Sequence, residues 1–208
     1  MGAGSVWSRN QAGWSLLEAL VTLLIAAAAA SMAAPALGQW QRRAALAGGG
    51  ARLVREVREL RWRALANGCS FAMVFERRGE RWRYGLYRDG DGDGVRSADL
   101  ASGVDPLVDG PFEIGRELGP IDFGLPGPIP RIPPAAGELN PRDPIQLGST
   151  DILSVSPLGS SSSGSLYLLG PDDRVLGAVI YGPTARVRLW SYDPAARRWS
   201  RVAGPGAP

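Results

Sequence analysis

Asp89, Asp91 and Asp93 alternate with Gly90, Gly92 and Gly94, and alternate carboxylates of this kind can converge on one hard cation. Glycine at the sixth place of such a loop allows its sharp turn, and Val95 at the seventh can add a carbonyl. The spacing then departs from a complete calcium loop. Leu100 stands at the twelfth place, where a bidentate glutamate is needed; Asp99 comes one residue early, and Arg96 replaces a usual apolar residue. The expected ligand set is therefore Asp89, Asp91, Asp93, Val95 and Asp99, with calcium as the ion. The plain alternative is an acidic, glycine-rich turn that holds none.

A second group lies near the C-terminus, where Arg186, Arg188, Arg197, Arg198 and Arg201 are interleaved with Trp190, Tyr192 and Trp199. Alternate residues of a strand share one face, so Arg186, Arg188 and Trp190 can line up together. Arginines neutralise phosphates and aromatic rings stack on bases, which makes nucleic acid one reading of this surface. The other is an arginine-rich exposed strand face with partly packed tryptophans.

Catalytic sets do not form from the remaining residues. The 208-residue chain has no histidine, which removes His-based triads, His metal sites and imidazole acid–base chemistry. Its single cysteine, Cys69, allows neither an intramolecular disulfide nor a thiolate cluster, and is expected to pack as a small apolar residue. The serine run Ser160 to Ser163 reads as linker or turn, with no base to activate it. No phosphate-cradling loop is present, so the expectation is a protein without enzymatic activity and without a required cofactor. All 23 basic side chains are arginine.

Near the N-terminus, Trp14 to Gly38 form an apolar stretch with one charge, Glu18. As a helix this stretch would be roughly 35 Å long, enough for a bilayer core of about 30 Å. An acid inside such a run costs on the order of 3 kcal/mol near its centre and normally has a partner, so Glu18 requires an explanation. A secretory signal peptide would have a shorter apolar core, and an ordinary anchor would not need the acid. Arg42 and Arg43 follow the run while residues 1–13 before it carry only Arg9, a charge balance that by itself would place the body on the cytoplasmic side.

The segment Gly13-Trp14-Ser15-Leu16-Leu17-Glu18 resembles the leader junction of type IV prepilins and pseudopilins. The resemblance implies cleavage after Gly13, N-methylation of Trp14, and Glu18 at mature position five, where it meets the N-terminus of a neighbouring subunit during assembly. It places Pro35 at mature position twenty-two, where proline is common; a proline there should kink or locally melt the helix. Trp14 departs from the family's usual phenylalanine. Further on, Ser156-Pro157-Leu158-Gly159, Gly164 to Leu168 and Pro183 to Arg188 look like the head of the GspH/FimT type. This implies a structural minor pseudopilin or pilin of a type II secretion or type IV pilus filament, acting in assembly or at the tip for protein secretion. The alternative is a FimT-like minor pilin that binds DNA for uptake, with Arg186, Arg188, Arg197 and Arg198 as contacts. Ala185 stands where that family's arginine element has glycine, which questions the tight turn. The implied partners are other pilin or pseudopilin subunits, the prepilin peptidase, an inner-membrane assembly platform, the membrane, and secreted cargo or DNA. The implied location is the bacterial inner membrane, single-pass, with the head in the periplasm.

The expected fold is α+β. It has a leader at 1–13, a transmembrane helix at 14–38 and its periplasmic continuation at 39–67. A β-rich, antiparallel, sandwich-like head follows at 68–208. Leu46, Leu53, Val57, Leu60 and Ala64 recur at helical spacing, and Arg52–Glu56, Arg55–Glu59 and Glu59–Arg63 can pair at i,i+4. Gly48 to Gly50 suggest a flexible joint. Ser70 to Glu76 and Arg81 to Arg88 form an expected hairpin, with later strands at 151–156, 165–169, 174–181, 185–192 and 199–203. The proline- and glycine-rich stretch at about 104–149 reads as an insertion or long loop, with a short strand near Ile121.

Overall fold

A computed structural model describes residues 15–202, without the side chains at 32–37, 39, 117 and 118. The leader junction Gly13–Trp14 lies outside the described residues. The chain forms two compact units, Met1–Trp40 and Gln41–Pro208.

Helix α1, Leu16–Asn67, begins in the first unit and ends in the second. Pro35 falls within its helical bounds. Among the described residues no helix is long and apolar enough to cross a membrane. Beyond Trp40 the helix is studded with arginine and glutamate. The N-terminal helix is long, but the expectation that its first half, at 14–38, crosses a membrane is therefore corrected, and with it the single-pass inner-membrane location.

In the second unit the strands form two antiparallel sheets. The first has the order β3-β2-β1-β6, built from β1 (Phe71–Arg78), β2 (Arg81–Arg88), β3 (Leu107–Phe112) and β6 (Ile152–Val155). The second has the order β10-β9-β8-β7-β4. Its strands are β4 (Asp122–Phe123), β7 (Gly164–Leu169), β8 (Val175–Tyr181), β9 (Arg186–Asp193) and β10 (Arg198–Arg201), and β5 (Ile145–Gln146) also pairs with β7. Short helices α2 (Ser97–Ser102) and α3 (Ile114–Leu118) lie in the connections.

The expected apolar stripe of α1 is the centre of this unit. Leu46, Leu53, Val57, Leu60 and Ala64 are buried in one cluster with Phe71, Met73 and Phe75 of β1, Tyr84 and Leu86 of β2, Leu166 and Leu168 of β7, and Leu176, Ala178 and Ile180 of β8. Both sheets thus turn one face to the helix, and the period-two alternation of each strand sets which residues face it. Gly49 and Gly50 are buried, and a Cβ on either would run into Ile121 or Leu176 side chains. They are close-approach sites rather than the flexible joint expected from composition.

The outer faces are covered as well, over part of their extent. Ala72, Val95 and Ile152 form a small cluster behind the first sheet. Behind the second, the segment expected to be a loose insertion lays Leu125, Ile129, Ile132 and Leu139 over Tyr167, Val175, Tyr192 and Trp199. The Trp199 indole N–H donates to the Pro130 carbonyl at 2.7 Å and ties this cover down.

Candidate functional site

The acidic loop follows β2 and is organised around two buried carboxylates. Asp89 Oδ1 accepts the Gly92 amide at 2.7 Å and the Asp91 amide at 3.3 Å, while Oδ2 accepts Gly94 at 3.0 Å. Asp105, only 2% exposed, accepts the Gly90 amide on Oδ1 and the Arg96 amide on Oδ2, both at 3.0 Å. Burial works against the charge on Asp89, but amides of Gly92, Gly94 and Asp91 and the Ser70 hydroxyl outweigh it and hold the carboxyl below its usual range. Desolvation pushes the Asp93 carboxyl up; Asp91 and Asp99 add to this against the Arg96 guanidinium, which pairs with Asp93.

Ligand atoms of Asp89, Asp91 and Asp93 lie within 4.8 Å of one another, a spacing at which three carboxylates can share a hard cation. Asp99 does not join that group. The Val95 side chain packs with Ala72 and Ile152, and Asp99 lies in the first turn of α2. Sequence reasoning missed Asp105, whose distance along the chain hid its role as the second organiser of the loop.

The C-terminal arginines divide between two faces of the second sheet. Arg186 and Arg188 alternate with residues that face α1, so they share the outer face with Trp190 and Tyr192. Arg201 lies directly opposite Trp190 and joins them. Val179 and Tyr181 of β8 lie opposite Arg188 and Arg186. Val179 and Trp190 pack against the covered cluster, whereas Arg186 and Arg188 are exposed and Tyr181 is 59% exposed. Arg198 sits opposite Asp193 and therefore on the other face, with Arg197 in the turn before it. Among the described residues none of these arginines is in an ion pair. Ala185 adopts φ 51° and ψ 27°, the left-handed conformation that glycine favours, so the turn before Arg186 forms with alanine in place.

In the first unit, Glu18 lies in the opening turn of α1 with its amide donating to Ser15 Oγ at 3.3 Å. Among the described residues its carboxylate has no ion-pair partner. Around it Leu16 is 80% exposed, Leu17 71% and Leu24 73%.

Further polar features belong to the head's construction. Arg52 is buried; it pairs with Glu56 as its spacing suggests, donates to the Tyr84 hydroxyl at 3.0 Å and lies over the Phe112 ring. Glu59 pairs with Arg63 rather than Arg55. Cys69 packs against the main core. The serine run links strands: Ser163 Oγ accepts the Gly182 amide and Ser162 Oγ the Ser154 amide. A groove of about 740 Å³ lies between the start of β2, the α3–β4 segment and the end of β7. In it Glu113 is held by Arg81 and Arg83, and burial pushes the Asp122 carboxyl up.

No family model, curated protein or solved structure matches the chain.

Proposed function

We propose that this protein is a non-enzymatic filament subunit of the pilin-like class, assembled through the start of α1. The observation that carries the reading is the run from Leu16 to Ile25, whose large side chains, Glu18 apart, are apolar and 47–80% exposed. Apolar residues lie on every side of this helical segment, so no single stripe could be satisfied by its own head. Like helices packed side by side would cover it, and Glu18 would then meet a cationic N-terminus in an apolar setting. An unpaired carboxylate there would be costly, which makes the partner's charge a condition of assembly. The head, in this reading, supplies contacts to other subunits or to cargo.

The test is the mature N-terminus in the native host, with Glu18→Gln as companion. The expected chain begins at a methylated Trp14, and Glu18→Gln lowers recovery in sheared filaments at least tenfold. A mature chain still beginning at Met1 would sink the proposal.

A second reading, capture of DNA, is favoured by one specific observation. Arg186, Arg188 and Arg201 share a sheet face with exposed Tyr181 and half-buried Trp190, a cationic surface with one exposed ring for stacking. Binding should weaken with salt, and Arg186→Ala/Arg188→Ala should reduce the slope of log K against log salt by about 1–2. Affinity unchanged by that double substitution removes this reading.

A further inference from the structure

On the outer side of α1, Ala51, Arg55, Arg58, Trp62 and Leu65 follow one another at alternating steps of four and three. They form one stripe, on the side away from the buried one. Trp62 is 67% exposed, Leu65 45%, and Leu158 in the neighbouring β6–β7 connection 91%. Gly159 lies against the Arg61 guanidinium, which brings Leu158 to the flank of the stripe. Among the described residues Arg55, Arg58 and Arg61 enter no ion pair, because Glu56 and Glu59 are engaged by Arg52 and Arg63.

The same unit carries a surface of opposite charge. Val104, Leu107 and Val108 are each more than 40% exposed, on and just before β3, the edge strand of its sheet. The Val104 carbonyl lies against Gly90, and the Asp99 carbonyl accepts the Asp105 amide at 3.2 Å, so the acidic loop borders these residues. Asp91 and Asp99 enter no ion pair among the described residues.

We propose that the arginine–tryptophan stripe on α1 of one copy docks on the acidic, apolar β3 edge of a second copy. Opposite charges steer the encounter and fix its register, while the exposed tryptophan is the kind of anchor that interfaces bury at their centre. A phosphate backbone would satisfy the arginines but leave Leu65 and Leu158 uncovered, whereas the β3 edge offers both complements. The two surfaces differ, so the contact can repeat from copy to copy, as a growing assembly requires. In that respect the inference rests on the filament reading.

The test uses full-length protein with benzoylphenylalanine in place of Leu65, prepared in light and heavy isotopic forms and mixed. Cross-links joining a light chain to residues 104–109 of a heavy chain are expected. Arg55→Glu/Arg58→Glu in the cross-linking copy should cut their yield at least tenfold, and a partner copy carrying Asp91→Arg/Asp99→Arg should restore it. Cross-links confined to one chain, mapped to other segments, moved to added DNA, or indifferent to charge reversal would overturn the docking surface. The N-terminus of the same material keeps the two readings apart. A processed chain lacking this cross-link removes the docking surface alone, and an unprocessed chain that cross-links removes only the pilin-like assignment.

Discussion

Ala185 is one of the few non-glycine residues with positive φ. The left-handed conformation costs an L-residue about 1 kcal/mol or more, and here it launches β9 and with it Arg186 and Arg188. Ala185→Gly should raise stability by about 0.5–1 kcal/mol in urea titration, the relief being offset in part by loss of a buried methyl. A lower midpoint would show that the methyl's packing outweighs the conformational relief. Asp89 yields a second expectation at this scale. Its carboxyl titrates lower in the folded chain than in the unfolded one. Its contribution is therefore complete above the unfolded value and is lost as pH falls through the folded one. Asp89→Ala strips three loop amides of their acceptor and should cost about 2 kcal/mol at neutral pH. The deficit relative to wild type should shrink on acidification below about pH 4; a deficit constant with pH would mean that the charge plays no part.

At the scale of elements, α1 shows what a sequence makes legible and what it hides. Its buried stripe was readable because 3.6-residue periodicity is a local property, and the hairpin β1–β2 and the later strands were readable from alternation and turn residues. Gly49 and Gly50 were misleading, because glycine in a helix weakens it locally and only the sheet packed above shows why a side chain is excluded. Gly50→Leu tests that account: the helix gains propensity, yet the core against Leu176 and Leu189 is overfilled, for an expected net loss of about 2 kcal/mol. A rise in thermal midpoint would instead support the flexible-joint reading. The cover over the second sheet was illegible for a different reason. Its apolar residues sit between prolines without any period, and their partners at Tyr167, Val175, Tyr192 and Trp199 are distant in sequence. The candidate sites divide in the same way. Asp89, Asp91 and Asp93 come together because they are near neighbours, and Arg186 and Arg188 because a strand alternates. Asp105 and Arg201 joined them through tertiary pairing that no local spacing records.

For the whole molecule, the first compact unit offers apolar helix surface and one acid, while the second is a core built on a helix between two sheets. The long apolar N-terminal run suggested a bilayer crossing, but the helix that carries it passes into a charged segment and then into the head's core. The second sheet is packed on both faces over part of its length, by α1 on one side and by the 125–139 segment on the other. Strand β8 lies inside that sheet with neighbours on both sides, and Val175, Leu176, Gly177 and Ala178 are all buried. Its amides should be the last to exchange with deuterated solvent, opening only with global unfolding, whereas those of the β3 edge should exchange through local fraying. Mass-spectrometric exchange on the full chain would reveal this order, and β8 exchanging as fast as β3 would contradict it. Such a strand acts as a keel: load applied at either end of the head must break two hydrophobic layers before it can separate from its neighbours.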